Sequence, residues 1–104
     1  MVGGLELAFR SGMRINISDG RATSPPDLRR YAEYRFFTAV ARYASFVRSI
    51  DVELRQPSQP GRIVCAFNIA LGDGDSIGGE SVGRVPTSTV DVAADRAAAL
   101  LDVK

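Results

Sequence analysis

Five arginines fall between Asp27 and Arg48, at Arg29, Arg30, Arg35, Arg42 and Arg48, with Tyr31, Tyr34 and Phe37 among them. A guanidinium forks onto phosphate oxygens and an aromatic ring stacks on an unpaired base, so the mixture has the chemistry of an RNA surface. Arg10, Arg14 and Arg21 precede it and Arg55 follows. An ordinary helix with a solvated back has the same composition.

Other chemistry is sparse. The chain has no histidine, so the usual proton shuttle at neutral pH is missing. Cys65 is the single cysteine, and it shares an alternation face with Ile63 and Phe67, which predicts a buried structural thiol rather than a nucleophile. Asp73 and Asp75 lie in a GDGD turn without the further oxygen ligands of a calcium loop. Gly78-Gly79 has no lysine and no following helix, so it is no phosphate loop. The reading is a protein that is not an enzyme and needs no cofactor or metal.

The net charge of +1 hides an asymmetry. From Arg10 to Arg62 ten arginines face five acids, and from Ile63 to Lys104 three bases face six. The length of 104 residues and 45% apolar content suit one globular domain with a modest core. No apolar run approaches the ~20 residues of a membrane span. The opening MVGGLELAFRSG predicts no signal peptide, and a lone cysteine suits a reducing, cytoplasmic setting.

These side chains need a frame. The stretch Asp27–Arg48 has helical spacing: Leu28, Ala32, Phe36, Ala39, Tyr43, Phe46 and Val47 share one face. Arg30, Tyr34, Phe37, Ala41 and Arg48 fall on the other, with Arg35 and Arg42 along a flank. Met13, Ile15 and Ile17 alternate as a strand, as do Ile50, Val52 and Leu54, and Ile63 to Leu71 is the strongest strand. Ser76 to Val85 reads as a weaker strand, bulged at Gly78-Gly79. A second helix is expected from about Thr89 to Leu101, opened by a capping box of Ser88 and Asp91. Leu5, Leu7 and Phe9 also alternate, and Ser11-Gly12 after them is either a hairpin turn or a kink in one long strand. Residues 1–12 are thus an N-terminal extension or added strand, and 13–104 a single domain. The order strand, helix, strand, strand, strand, helix predicts an α+β two-layer sandwich. It is a four-stranded sheet with both helices on one face. Arg14, Asn16, Asp51, Glu53, Arg55, Val64, Ala66 and Asn68 are expected on the other.

MRINIS at Met13–Ser18, DLRRYAEYRFFTAVARYASFVRSIDVELR at Asp27–Arg55, GRIVCAFNIAL at Gly61–Leu71 and VDVAADRAAALL at Val90–Leu101 together resemble the ribosome hibernation-promoting factors, also called ribosome-associated inhibitors or ribosomal-subunit interface proteins. The resemblance spans residues 13 to 101, and its most specific parts are the helix-to-strand join and the pair Asp95-Arg96. It implies a β-α-β-β-β-α fold and a protein that binds the small ribosomal subunit at the decoding region and silences idle ribosomes by steric occlusion. Both helices of the family supply basic residues to ribosomal RNA. Here Arg29, Arg30, Arg35 and Arg42 match on the first helix and Arg96 on the last, with Arg14 and Arg55 on the sheet as second-rank candidates. The last helix departs from the family, with Ala97, Ala98 and Ala99 where basic or long residues are usual. The C-terminal extension of long members is also missing, so a short member is expected. The alternative is a protein-interaction module of the same fold that no longer binds ribosomes. Tyr34, Phe37 and an edge strand near residues 5–10 would then serve a homodimer or another partner.

Overall fold

The computed structural model describes residues 13–19, 26–56 and 60–103. Their order is β1 (Arg14–Asp19), α1 (Pro26–Val40), a 3-10 turn (Ala41–Tyr43), β2 (Val47–Arg55), β3 (Ile63–Leu71), β4 (Ser76–Gly83) and α2 (Pro86–Asp102). The four strands lie in one sheet in chain order. β1 pairs parallel to β2, with Ile15 beside Ile50, and the remaining pairs are antiparallel. The parallel pair needs a crossover, and α1 is that crossover. Since β1 and β4 run the same way, both helices start at the same end of the sheet and lie parallel on one of its faces. The expected α+β sandwich is therefore the observed one. The N-terminal extension, residues 1–12, lies outside the described residues.

Alternation decides the core. Ile50, Val52 and Leu54 of β2 and Ile63, Cys65, Phe67, Ile69 and Leu71 of β3 turn inward against Leu28, Ala32, Phe36 and Val40 of α1. Ala93, Ala94 and Ala97 of α2 are fully buried, so that helix sits close to the sheet. The rings of Phe36 and Phe67 meet with centroids 5.8 Å apart. Gly79 makes room for them: a Cβ there would stand 3.0 Å from Phe67 Cζ. The Gly72–Asp75 turn closes through Leu71 N–H to the Asp75 carbonyl at 2.8 Å, and Asp73 Oδ1 accepts from Asp75 N–H at 2.9 Å. These aspartates form a hairpin turn, as their spacing predicts.

Three expectations are corrected. The α-helix stops at Val40 and does not reach Arg48. Phe46 N–H bonds the Tyr43 carbonyl, and the Phe46 carbonyl is pinned by Gly72 N–H at 2.9 Å, which starts β2 at Val47 opposite Leu71. The register irregularity lies between Val47 and Ser49, and Gly78-Gly79 pair regularly with Asn68 and Phe67. Lastly, α2 begins at Pro86 with Val85 at its cap and no side-chain capping bond, so Ser88 and Asp91 make no capping box. Proline at the first helical position, with φ already set, supplies the start instead.

Candidate nucleic-acid interface

On α1 the buried residues Leu28, Ala32, Phe36 and Val40 recur every fourth position and leave Arg30, Tyr34 and Thr38 as the opposite, exposed stripe. Tyr34 is 63% exposed. Phe37, expected beside it, is half-buried and packs against the core. Arg29 and Arg30 are exposed near the start of the helix, and Arg42 is exposed in the 3-10 turn. The Arg42 guanidinium lies 5.4 Å from the centroid of the Tyr43 ring, which meets Phe46 edge-on at 5.8 Å. Arg29, Arg30 and Arg42 have no ion pair among the described residues.

Arg35 is differently placed. The seam between the parallel helices is polar, and α2 supplies its acids. Asp91, Asp95 and Asp102 fall on one flank of α2 at intervals of four and seven. Tyr31 Oη donates to Asp91 Oδ1 at 2.6 Å, Arg35 Nε to the same oxygen at 2.7 Å, and Arg35 Nη2 to Asp95 Oδ1 at 3.1 Å. Tyr43 Oη donates to Asp102 Oδ1 at 3.0 Å. The hydroxyl of Tyr31 and then the guanidinium of Arg35 hold the Asp91 carboxyl below the ordinary carboxylate range. Asp91 in turn raises both Arg35 and Tyr31, whose charged and neutral forms respectively donate to it. Desolvation and then the Asp102 bond raise Tyr43. Arg35 thus ties helix to helix, and its side chain is only 21% exposed.

Two more of the expected residues are engaged within the chain. On the open sheet face Arg55 bridges Glu53 at 3.3 Å and reaches across β3 to Glu80 at 3.1 Å. Arg96 is exposed, and its Nη1 donates to the Glu80 main-chain carbonyl at 2.7 Å, on the outer edge of β4. Arg14 is exposed on β1 opposite Ser49, and beside it Asn16 donates to Asp51 at 3.0 Å. The helical layer is therefore balanced in charge: Arg29, Arg30, Arg35, Arg42 and Arg96 stand against Asp27, Glu33, Asp91, Asp95 and Asp102. Sequence reading passed over Arg62 and Arg84, which the meander brings alongside each other, next to the Ile63–Gly83 pair. The hairpin register was the signal that would have joined them. Cys65 is fully buried, and burial pushes its thiol up to about 12, so it is inert as expected.

Solved structures of other proteins share this architecture, two of them as follows. A ribosomal subunit interface protein from Coxiella burnetii matches with a TM-score of 0.72 at 16% identity, over 86% of this chain and 93% of that one. The N-terminal domain of Thermus thermophilus Protein Y matches with a TM-score of 0.69 at 16% identity, over 85% and 93%. No protein-family model and no curated protein matches the sequence. The chain has the fold of the ribosomal subunit interface proteins, with the β-α-β-β-β-α order that the resemblance implies.

Proposed function

We propose that this chain is a ribosome-associated translation inhibitor that binds the small subunit through RNA phosphates and acts by occupancy, without chemistry. The observation that carries the reading is that Arg29 and Arg30 on α1 and Arg42 in the 3-10 turn after it stand open, in a fold shared with a ribosomal subunit interface protein. Guanidinium groups without carboxylate partners are free to take phosphate, and exposed Tyr34 beside Arg30 offers a ring to an unpaired base. Arg14 is a further contact on the sheet. Arg35, Arg55 and Arg96 contribute to the fold in the free protein and would have to exchange carboxylate or carbonyl for phosphate to join. The cytoplasm is the compartment this function requires. Among the described residues no helix is long and apolar enough to cross a membrane.

Co-sedimentation with purified small subunits tests the reading: binding at low salt that weakens as salt rises is the expected result. Absence of binding at low salt would instead favour the second reading, an interaction module of this fold. That reading has its own support in the charge balance of the helical layer, since a neutral face holds little attraction for RNA.

A further inference from the structure

Among the described residues, Val85 and Val92 are 55% and 47% exposed and lie together at the start and in the first half of α2, beside the Val82 backbone. They wall a groove of about 220 Å³ between the outer edge of β4 and the first half of α2. This is smaller than the roughly 300–1,000 Å³ of a small-molecule site and suits one or two aliphatic side chains. Its only charged lining residue is Arg84, which is exposed and has no ion pair among the described residues.

The backbone beside the groove is open. Arg96 donates to the Glu80 carbonyl from outside the sheet, so that carbonyl is turned away from β3. Residues two apart on a strand turn their N–H and C=O the same way, so Val82 presents its own pair outward, next to the apolar walls. Among the described residues β4 is an edge strand. Arg96 blocks pairing at Glu80 and leaves a short stretch around Val82 for strand addition.

We propose that this groove takes a short, extended, acidic peptide segment of a partner protein, paired to the Val82 backbone, with an aliphatic side chain between Val85 and Val92 and a carboxylate on Arg84. Charge complementarity selects an acidic segment over a basic one. RNA is the poorer occupant, because the walls are aliphatic with no ring to stack a base. A second copy would meet this concave groove with an identical concavity and would have to displace Arg96. The C-terminal end of α2 lies at the opposite end of the sheet.

The probe is a fluorescein-labelled synthetic octapeptide of alternating valine and serine ending in two glutamates, titrated into the intact chain by fluorescence polarisation. Saturable binding is expected. Arg84→Glu and Val92→Gln, both exposed positions, each weaken it about tenfold, and replacing the peptide's glutamates with lysines abolishes it. Amide shifts in the unsubstituted chain fall within residues 80–92, which tests the site even if a variant folds poorly. The proposal is overturned by no polarisation change up to about 1 mM peptide or by equal binding to both variants. Shifts there caused by a polyuridine oligonucleotide instead of the peptide overturn it too, as does a mass in solution showing two copies joined at this face.

Discussion

The salt dependence of ribosome binding separates the sequence reading from the structural one. Composition and resemblance offer seven arginines to RNA: Arg14, Arg29, Arg30, Arg35, Arg42, Arg55 and Arg96. In the folded chain Arg35 and Arg55 hold carboxylates and Arg96 holds a carbonyl, which leaves Arg29, Arg30 and Arg42 as the open set of α1 and the turn after it. Each phosphate contact adds about 0.9 to the slope of log affinity against log salt. Seven contacts give a slope of about −6, and a rise from about 50 to about 200 mM salt then costs several thousandfold. With Arg14 as the further contact on the sheet, four contacts give a slope of about −3.6 and a loss of about 150-fold over the same range. Reversing Arg30 and Arg42 to glutamate leaves two contacts, a slope of about −2, and an affinity lower by about 100-fold at the low-salt end. The assay is pelleting of labelled protein with small subunits over a salt series, with circular dichroism to confirm that the variant folds. A native slope steeper than about −5 would refute the count, since the paired arginines would then be exchanging partners on binding. A slope unchanged by the double reversal would remove α1 from the interface.

Other outcomes follow from the packing. Asp91→Asn should cost about 1 kcal/mol in urea unfolding at neutral pH, a figure discounted because the carboxylate is 40% exposed. A carboxyl whose folded pKa is depressed contributes stability that is present above its unfolded value and lost as pH falls through the folded one. The variant should therefore lose less stability than the native chain as acid is added below about pH 4, and parallel acid curves would show that Asp91 is not the titrating partner. Gly79→Ala places a methyl 3.0 Å from Phe67 Cζ, and that ring is held by Phe36, so a loss of about 1–3 kcal/mol is expected in thermal unfolding. A neutral result would mean that the ring has room to move. Cys65 should react with a disulfide reagent only after unfolding, because its thiol is buried and pushed up to about 12. Rapid labelling of the native chain would contradict the packing of β3.

Much of the fold was legible because its signals are local. Period two at Ile50–Leu54 and Ile63–Leu71 names the strands and their inward faces, and the GDGD turn names a hairpin. Spacing of three and four names α1 and its buried residues. The same periodicity misplaced the end of α1, because Tyr43, Phe46 and Val47 keep helical spacing by coincidence. The chain leaves the helix there to meet Leu71 and Gly72, residues more than twenty positions away.

Composition and order alone determined the two-layer architecture, the inert thiol and the roster of arginines, since each depends on neighbours within a few positions. Which arginines remain open was decided only in the tertiary structure. The partners of Arg35 lie 56 and 60 residues along the chain, and Arg96 finds its carbonyl on a strand 16 residues back. Parallel packing of two helices sets those distances, and a charge is open or spent according to what lies within about 4 Å of it in space.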